Sequence, residues 1–290
     1  MTNLQEYQEY KVSLQNHRVA LSKSDKVKIK IFFLLLKLLL FLFPKSNAHR
    51  FEKSLKFYFG LIDINIDDWN PQQKPALFLY LDLPSKPWYE PDDYNVLKIV
   101  TNILEEGAKD IKSEFLMNIP NKSNFLIPSL DPSDRSVYEY ITDIELPASF
   151  TKDDWSIVVL WVDGKFTEKA RYFFPKTVNI LSKLESFIDP FEEAVIFVLK
   201  PGAFLPPHHD GANTYIGCHL GLIIPENCGF RVGSETRSWT EGKTLFFDQS
   251  IEHEVWNRSQ EERVVLSLQL RHPELSKFEN FLYNLFRKSL

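Results

Sequence analysis

Two histidines and one aspartate in the C-terminal half of the chain could together hold a metal ion. His208 and Asp210 stand two positions apart in the sequence PPHHDG, and His253 follows in the sequence IEHE. On an extended strand, residues i and i+2 point to one side, so His208 and Asp210 are predicted to face one pocket and His209 the opposite side. Two imidazoles and one carboxylate leave half of the coordination sphere of iron(II) open. The set therefore favours a catalytic iron site over a structural zinc site, although a His-Asp-Gly sequence also occurs in ordinary exposed turns.

The segment that follows argues against an ordinary turn. Apolar residues occupy the even positions between Tyr215 and Ile224, so this face of a strand is predicted to lie in the core. The odd face carries His219 between Gly217 and Gly221, and two glycines beside a histidine remove side-chain bulk. The pattern predicts room for a ligand next to His219.

Arg263 begins a second alternating segment. Its predicted core face consists of Val264, Leu266, Leu268 and Leu270, and its other face of Arg263, Val265, Ser267 and Gln269. A short loop precedes it, so the segments 252–257 and 263–270 are predicted to pair as a hairpin with His253 beside Arg263. A guanidinium next to iron suits a dicarboxylate co-substrate.

From Asp154 to about Leu275 the sequence resembles the aspartyl/asparaginyl β-hydroxylase family of iron- and 2-oxoglutarate-dependent oxygenases. The matching segments, in chain order, are DWS at 154–156, LW at 160–161, FPKT at 174–177, PH at 207–208, HLGL at 219–222, IP at 224–225, ETRSW at 235–239, EGK at 241–243, FD at 247–248, EHEVW at 252–256 and HPEL at 272–275. So many segments in one order are far more specific than any single one.

The resemblance implies a role for each candidate residue. His208 and His253 become iron(II) ligands, with Asp210 as the third ligand. Arg263 becomes the partner of the distal carboxylate of 2-oxoglutarate and His219 a second contact to it, and Ser267, on the face of Arg263, is assigned to the same pocket. The implied cofactors and co-substrates are Fe(II), 2-oxoglutarate and O2, and the implied reaction is hydroxylation of a C–H bond.

Departures from the family pattern leave the substrate open. Animal peptidyl members have Gly in place of Asp210, whereas the bacterial lipid A acyl 2-hydroxylase branch has Asp. Both branches carry an Arg where this chain has Gly217, and Arg231 or Tyr215 are candidates to replace it. The EHEVW and HPEL segments are closer to the peptidyl branch. The substrate is therefore a peptidyl Asp or Asn, a lipid acyl chain or a small molecule, and Gly217 also motivates an alternative of another class, a membrane-tethered jelly-roll protein that binds without turnover.

The strand spacing predicts a mainly β fold, a double-stranded β-helix or jelly roll with flanking helices. Residues 1–25 are predicted to form a polar tail or frayed helix, 26–45 an apolar membrane-associated helix, 46–70 a connector and 71–290 the oxygenase domain, with its core at 154–275. The predicted strands include 76–83, 155–162 and 194–200, and the predicted helices 94–114, 175–187 and 276–289. The proline-rich loop 118–148 is expected to border the substrate mouth.

Residues 27–43 are the candidate contact with a membrane. A helix of this length spans about 26 Å at 1.5 Å per residue, against about 30 Å for a bilayer core. Lysines at 26, 30, 37 and 45 share one broad stripe, so the helix is predicted to lie in the interface, with burial against the catalytic domain as the alternative. The apolar run begins too far from Met1 and lacks the cleavage pattern of a secretory signal.

Charge and cysteine content restrict the remaining possibilities. With a net charge of -5 and no basic patch interleaved with aromatic residues, the chain is not expected to bind nucleic acid. Cys218 and Cys228 are the two cysteines. Because Cys218 lies on a predicted core face, two buried thiols are expected rather than a disulfide, which fits a reducing compartment.

Overall fold

The structure, a computed structural model, describes residues 3–17, 23–42, 48–129, 146 and 148–288. Most of the predicted substrate-mouth loop, at 130–145 and 147, lies outside the described residues. The helices are α1 (Asn3–His17), α2 (Lys23–Leu42), α3 (His49–Tyr58), α4 (Asn95–Asn118), α5 (Glu168–Phe173), α6 (Pro175–Ser182) and α7 (Lys277–Arg287). The strands are β1 (Trp88–Tyr89), β2 (Leu126–Pro128), β3 (Trp155–Val162), β4 (Lys165–Phe166), β5 (Ala194–Leu199), β6 (Phe204–His208), β7 (Tyr215–Ile223), β8 (Cys228–Val232), β9 (Glu235–Arg237), β10 (Thr244–Phe247), β11 (His253–Asn257) and β12 (Arg263–Arg271).

The strands form two antiparallel sheets, which confirms the predicted mainly β jelly roll with flanking helices. The larger sheet has eight strands in the order β1-β10-β7-β12-β5-β3-β2, with β4 paired to β3. The smaller sheet has four strands in the order β6-β11-β8-β9. His208 and His253 lie on the smaller sheet, whereas His219 and Arg263 lie on the larger one.

The alternating patterns of β7 and β12 are confirmed. The even positions of both strands, such as Cys218 and Leu266, are fully buried in one core together with Leu97 and Leu104 of α4. The opposite face of β12 contributes Val265 to a second core, which it shares with residues of the smaller sheet. The two faces of the larger sheet therefore serve different purposes, since one packs on a helix and the other closes on the smaller sheet.

The predicted hairpin between residues 252–257 and 263–270 is wrong. Strand β11 pairs with β6 and β8, whereas β12 pairs with β5 and β7 in the other sheet. The amide of Asn257 donates hydrogen bonds to the carbonyls of Leu199, Lys200 and Glu261, and so fixes the point where the chain crosses between sheets. His253 and Arg263 consequently belong to facing sheets instead of neighbouring strands.

The predicted strand at 76–83 is not formed. Backbone amides in this stretch bond to a loop, because Ala76 N donates to Asp210 O at 3.1 Å and Leu77 N to Gly211 O at 2.8 Å. The alternating hydrophobic residues that suggested a strand instead fill two different cores, with Phe78 in one and Leu79 in another. The segment is an irregular connection, with bends at Ala76 and Leu77 and a turn at Leu81 and Asp82.

Residues 3–17, predicted as part of a polar tail or frayed helix, form helix α1. In α1, Tyr7, Tyr10 and Leu14 are buried, and the ring of Tyr10 stacks on Trp69 with ring centroids 6.0 Å apart. Helix α2 begins earlier than predicted, at Lys23, and it buries Leu36 in the core shared with α3 and α7. No helix among the described residues is both long and apolar enough to cross a bilayer.

Helix boundaries elsewhere agree with the sequence to different degrees. Helix α4 begins at Asn95, one residue after the predicted start of 94–114, and continues to Asn118, while α6 ends at Ser182, before the predicted end at 187. Ser276 caps α7 by accepting a hydrogen bond from Glu279 N, and the Glu279 side chain accepts one from Ser276 N in return. Both cysteines are buried free thiols, as expected.

Candidate metal and co-substrate site

His208, Asp210 and His253 meet at the ends of two paired strands. His208 of β6 is the direct partner of His253 of β11, and their ring centroids lie 4.2 Å apart. Asp210 follows β6 and places its carboxylate 4.0 Å from His208 Nε2 and 3.9 Å from His253 Nε2. The three ligand atoms all lie within 4.8 Å of one another, so a single metal ion can reach all of them.

The tautomers of both histidines suit metal binding. His208 Nδ1 lies 2.7 Å from Pro206 O, and His253 Nδ1 lies 2.9 Å from Ile251 O. A carbonyl oxygen only accepts, so Nδ1 carries the hydrogen in each ring and donates it to the backbone. Each Nε2 is left with a free lone pair directed at Asp210, which is the usual arrangement for a metal-binding imidazole.

Electrostatics favour the same conclusion. Burial, together with the neighbouring imidazole of His253, lowers the pKa of His208 to about 4, and burial lowers the pKa of His253 to about 4. Burial also raises the pKa of the Asp210 carboxyl. Each group is therefore held away from its charged form. A divalent cation would compensate the carboxylate and use both neutral imidazoles, so the residues present fit an iron ion.

His209 is not part of the group formed by His208, Asp210 and His253, as its predicted position on the opposite side of the strand implies. It is nevertheless not a surface residue. Its side chain is only 1% exposed. Because removing a buried side chain leaves a cavity, we expect His209→Ala to lower the stability of the protein.

Arg263 lies on the facing sheet as a buried cation. It is 2% exposed, and its guanidinium lies over the ring of Trp239, 4.7 Å from the ring centroid. Among the described residues, Nε of Arg263 has no hydrogen-bond partner and no carboxylate forms an ion pair with the guanidinium. Burial lowers the pKa of Arg263 to about 10. A buried guanidinium without a carboxylate costs folding free energy, and this position is consequently a strong candidate to bind an anionic ligand.

His219 presents a second donor beside Arg263. The indole Nε1 of Trp239 donates to His219 Nδ1 at 3.2 Å, which places the imidazole hydrogen on Nε2. Burial, followed by the charge of Arg263, lowers the pKa of His219 well below its usual value. Ser267 is the direct cross-strand partner of His219 and is also buried. The three residues assigned to the co-substrate pocket thus come together on one face of β7 and β12.

The two glycines of β7 do not themselves provide the room that the sequence predicted next to His219. A Cβ atom on Gly217 would lie 2.5 Å from Cζ of Phe247, and one on Gly221 would lie 2.5 Å from the carbonyl oxygen of Thr240. An aromatic ring and a backbone segment already fill both spaces. Alternation along one strand shows where bulk is missing but not which neighbour occupies the space.

Neither candidate replacement for the missing family arginine is available. Arg231 is bonded to the carboxylates of Glu252 and Glu254. The Tyr215 ring is buried in the core that contains Ala212 and α7. Arg263 is thus the buried guanidinium that remains without an acidic partner among the described residues.

Sequence reasoning missed the aromatic residues around the site. The ring of Phe230 stacks on Trp239 with centroids 5.3 Å apart and lies edge-on to Phe247 at 4.6 Å. Both Trp239 and Phe247 lie within segments that match the family, ETRSW and FD, and this match was the available signal. All three rings lie against His219, with centroid distances of 5.5 Å for Phe230, 6.0 Å for Trp239 and 4.8 Å for Phe247.

His272, outside the triad, gives a pH test of the fold. Burial lowers its pKa to about 4, and its Nδ1 accepts a hydrogen bond from Glu274 N, so protonation there would break that bond. Between about pH 6.5 and pH 4 the unfolded state binds a proton at His272 and the folded state does not. The free energy of unfolding therefore decreases as the pH is lowered through this range.

We expect His272→Asn, whose oxygen can still accept from Glu274 N, to remove this penalty. Urea unfolding of both proteins at pH 7.5 and pH 5 measures it. The unfolding free energy of the variant minus that of the natural chain should be about 2 kcal/mol larger at pH 5 than at pH 7.5. An unchanged difference would mean that His272 titrates normally.

Comparisons with known proteins agree with this geometry. The sequence model of the aspartyl/asparaginyl beta-hydroxylase family matches residues 105–273, more than half of the chain. The mouse aspartyl/asparaginyl beta-hydroxylase is 33% identical over 69% of this chain and 25% of its own length. The aspartate beta-hydroxylase domain-containing protein 2 of Xenopus tropicalis is 30% identical over 71% of this chain and 53% of its own.

A bacterial relative modifies a lipid according to its name. The ornithine lipid ester-linked acyl 2-hydroxylase of Rhizobium tropici is 32% identical over 46% of this chain and 46% of its own length. The chain thus spans from a quarter to about half of the length of these relatives. The match over residues 105–273, which includes the paired His208 and His253 and the buried Arg263, shows that the chain belongs to the aspartyl/asparaginyl beta-hydroxylase family.

Proposed function

We propose that this protein is an Fe(II)- and 2-oxoglutarate-dependent dioxygenase that hydroxylates a C–H bond. The observation that carries the proposal is Arg263, a buried guanidinium without an acidic partner among the described residues, on the sheet that faces the His208, Asp210 and His253 triad. A dicarboxylate would give this guanidinium its missing partner while its other end remained free to reach a metal. The catalytic domain is proposed to comprise residues 71–290.

The side chains divide the work between two sheets. His208, His253 and Asp210 would hold the iron, and the backbone carbonyls behind the imidazoles fix the direction of each Nε2. Iron with O2 and 2-oxoglutarate supplies the oxidising power of the reaction. On the facing sheet, Arg263 and His219 Nε2 would bind and orient the co-substrate carboxylate, and the aromatic rings around them exclude water, which strengthens these contacts.

For the substrate, we propose a peptidyl Asp or Asn residue, with a lipid acyl chain as the alternative. The named relatives support both, since two carry aspartate hydroxylase names and one an acyl 2-hydroxylase name. Asp210, a carboxylate within reach of both histidines, favours the lipid branch. Mass spectrometry of peptide and lipid fractions from cells with and without the protein, searching for a gain of one oxygen, separates the two.

The activity itself is tested with purified protein loaded anaerobically with iron. We expect succinate to form from 2-oxoglutarate only when O2 is admitted. Bound iron without any succinate, with or without peptide and lipid substrates, would instead favour a jelly-roll protein that binds its ligand without turnover.

We also propose that α2 lies on a membrane surface. Its inner face is fixed to the domain through Leu36, but Leu34 and Phe41 are 69% and 80% exposed. Lys30 and Lys37 are exposed on the same helix and suit anionic headgroups. The free thiols Cys218 and Cys228 support a reducing compartment for the catalytic domain.

The α2 surface is tested by sedimentation with vesicles of phosphatidylcholine and phosphatidylglycerol. The double variant Leu34→Glu, Phe41→Glu should bind at least about tenfold more weakly than the natural chain, because each side chain is worth about 1.5–3 kcal/mol when buried. Leu61→Glu, at a position that is 64% exposed outside α2, is the control and should bind normally. Vesicle binding that is equal in all three proteins, or absent in the natural chain, would contradict the proposal.

A further inference from the structure

A short segment before the domain matched by the family runs across both loops that carry the metal ligands. We call residues 72–78 the strap. At one end of the strap, Ala76 N donates to Asp210 O at 3.1 Å, and Leu77 N donates to Gly211 O at 2.8 Å. The strap therefore holds the backbone of a candidate ligand and of the residue that follows it.

The other end of the strap holds the loop that leads to His253. Lys74 N donates to Ser250 O at 3.1 Å, and Glu252 N donates to Gln72 O at 2.8 Å. The next residue after Glu252 is His253. The strap is thus hydrogen-bonded to the loop that carries Asp210 and to the loop that leads to His253. These bonds hold the two loops at a fixed distance from each other.

Gln73 is the side chain that joins the strap to this second loop. Its Nε2 donates to Asp248 Oδ2 and to Ser250 Oγ, both at 2.9 Å. Asp248 accepts a further hydrogen bond from Ser250 N, at 2.9 Å. All three side chains are at most 6% exposed, and a buried amide and carboxylate of this kind keep their geometry because any unpaired member would be costly.

A second connection closes the arrangement. Asp210 N donates to Gln249 O at 3.0 Å, so the two ligand loops also bond to each other directly. Gln249 lies between Asp248 and Ser250, the two residues that Gln73 holds. Fixing this turn through Gln73 therefore fixes the acceptor that positions Asp210.

We propose that Gln73 is a positioning residue for the metal centre, acting through the turn at 248–250 on both Asp210 and His253. It touches neither metal nor substrate, and its effect is on the spacing of the ligands. The inference rests on the proposed metal site, and it extends the working unit to a segment outside residues 105–273, where the family match lies.

The test compares Gln73→Leu, which keeps similar bulk but loses both donors, with the natural chain and with Glu114→Leu. Glu114 is an equally buried polar residue, and it caps α6 by accepting hydrogen bonds from Lys176 N and Thr177 N. Its helix, α4, packs on the face of the larger sheet opposite His219. Glu114→Leu thus reports the effect of general destabilisation on the site.

Two measurements are made on the full chain, namely titration with Co(II) followed by its visible absorption, and hydrogen exchange of the metal-free proteins by mass spectrometry. We expect Gln73→Leu to weaken Co(II) binding about tenfold, at the low end for residues that support metal ligands, and to alter the Co(II) spectrum. Exchange should accelerate in peptides covering 209–214 and 248–253. Glu114→Leu should leave all three readouts as in the natural chain.

The outcomes separate this inference from the proposed function. If the natural chain binds Co(II) and Gln73→Leu matches it in affinity, spectrum and loop exchange, the inference is overturned while the metal site stands. If the natural chain binds no Co(II), the proposed function fails and Gln73 has no metal centre to position, whatever exchange shows of its hold on the two loops. Equal acceleration of loop exchange by Glu114→Leu would also overturn the inference.

Discussion

His208→Ala and His253→Ala are each expected to abolish metal binding. Loss of a residue that only supports a ligand costs about 10- to 100-fold in metal affinity, so loss of a direct ligand should cost more than that. The two imidazoles are paired across β6 and β11, and each points Nε2 at Asp210, so neither can replace the other. Titration of the metal-free protein with Fe(II) under anaerobic conditions measures the effect.

His209→Ala is the matched control, because it removes a buried histidine next to the ligand without removing a triad member. It should lower the thermal unfolding temperature yet retain metal binding. Asp210→Ala should weaken binding less than either histidine variant, since the peptidyl branch of the family carries Gly at this position. Equal loss of metal by the His208 and His209 variants would show that the wrong histidine has been assigned.

The sequence predicted those parts of the site that depend on local periodicity. The alternation of β7 and β12 predicted their core faces, and it placed Ser267 on the same face of its strand as Arg263. The i, i+2 spacing likewise placed His208 and Asp210 together. Each of these inferences needs only the geometry of one strand, and the family resemblance added the roles of the residues.

Which strands pair with each other could not be predicted in the same way. The segments before and after Arg258 are close in sequence, which suggested a hairpin, but Asn257 bonds to three carbonyls and directs the chain into the other sheet. The strap shows the same limit, because the amides of Ala76 and Leu77, in a run with strand propensity, bond to the loop at 210–211 instead of to a strand. At Gly217, the occupant of the space is Phe247 from another strand.

Arg263→Met is expected to separate binding from folding. Arg263 has no acidic partner among the described residues, so the substitution removes an uncompensated buried cation and fills similar volume. The free energy of unfolding of the ligand-free protein should stay equal or rise by about 1 kcal/mol. Affinity for 2-oxoglutarate should nevertheless fall below detection, because methionine offers neither the charge nor the donors that would bind a carboxylate. A residue that is retained at a cost to stability is typical of a binding site.

Arg263→Lys refines the same prediction, and Arg231→Lys is its control. Lysine keeps the charge but loses the planar fork, and a hydrogen bond to a charged group contributes about 1.5–3 kcal/mol, so affinity for 2-oxoglutarate should fall roughly tenfold or more. Arg231, already paired with Glu252 and Glu254, should tolerate lysine without a change in affinity. Calorimetric titration of the Mn(II)-loaded proteins measures all of these affinities. Unchanged affinity in Arg263→Lys together with a loss in Arg231→Lys would move the anchor to the smaller sheet, because Arg231 lies on β8 beside the strand of His253.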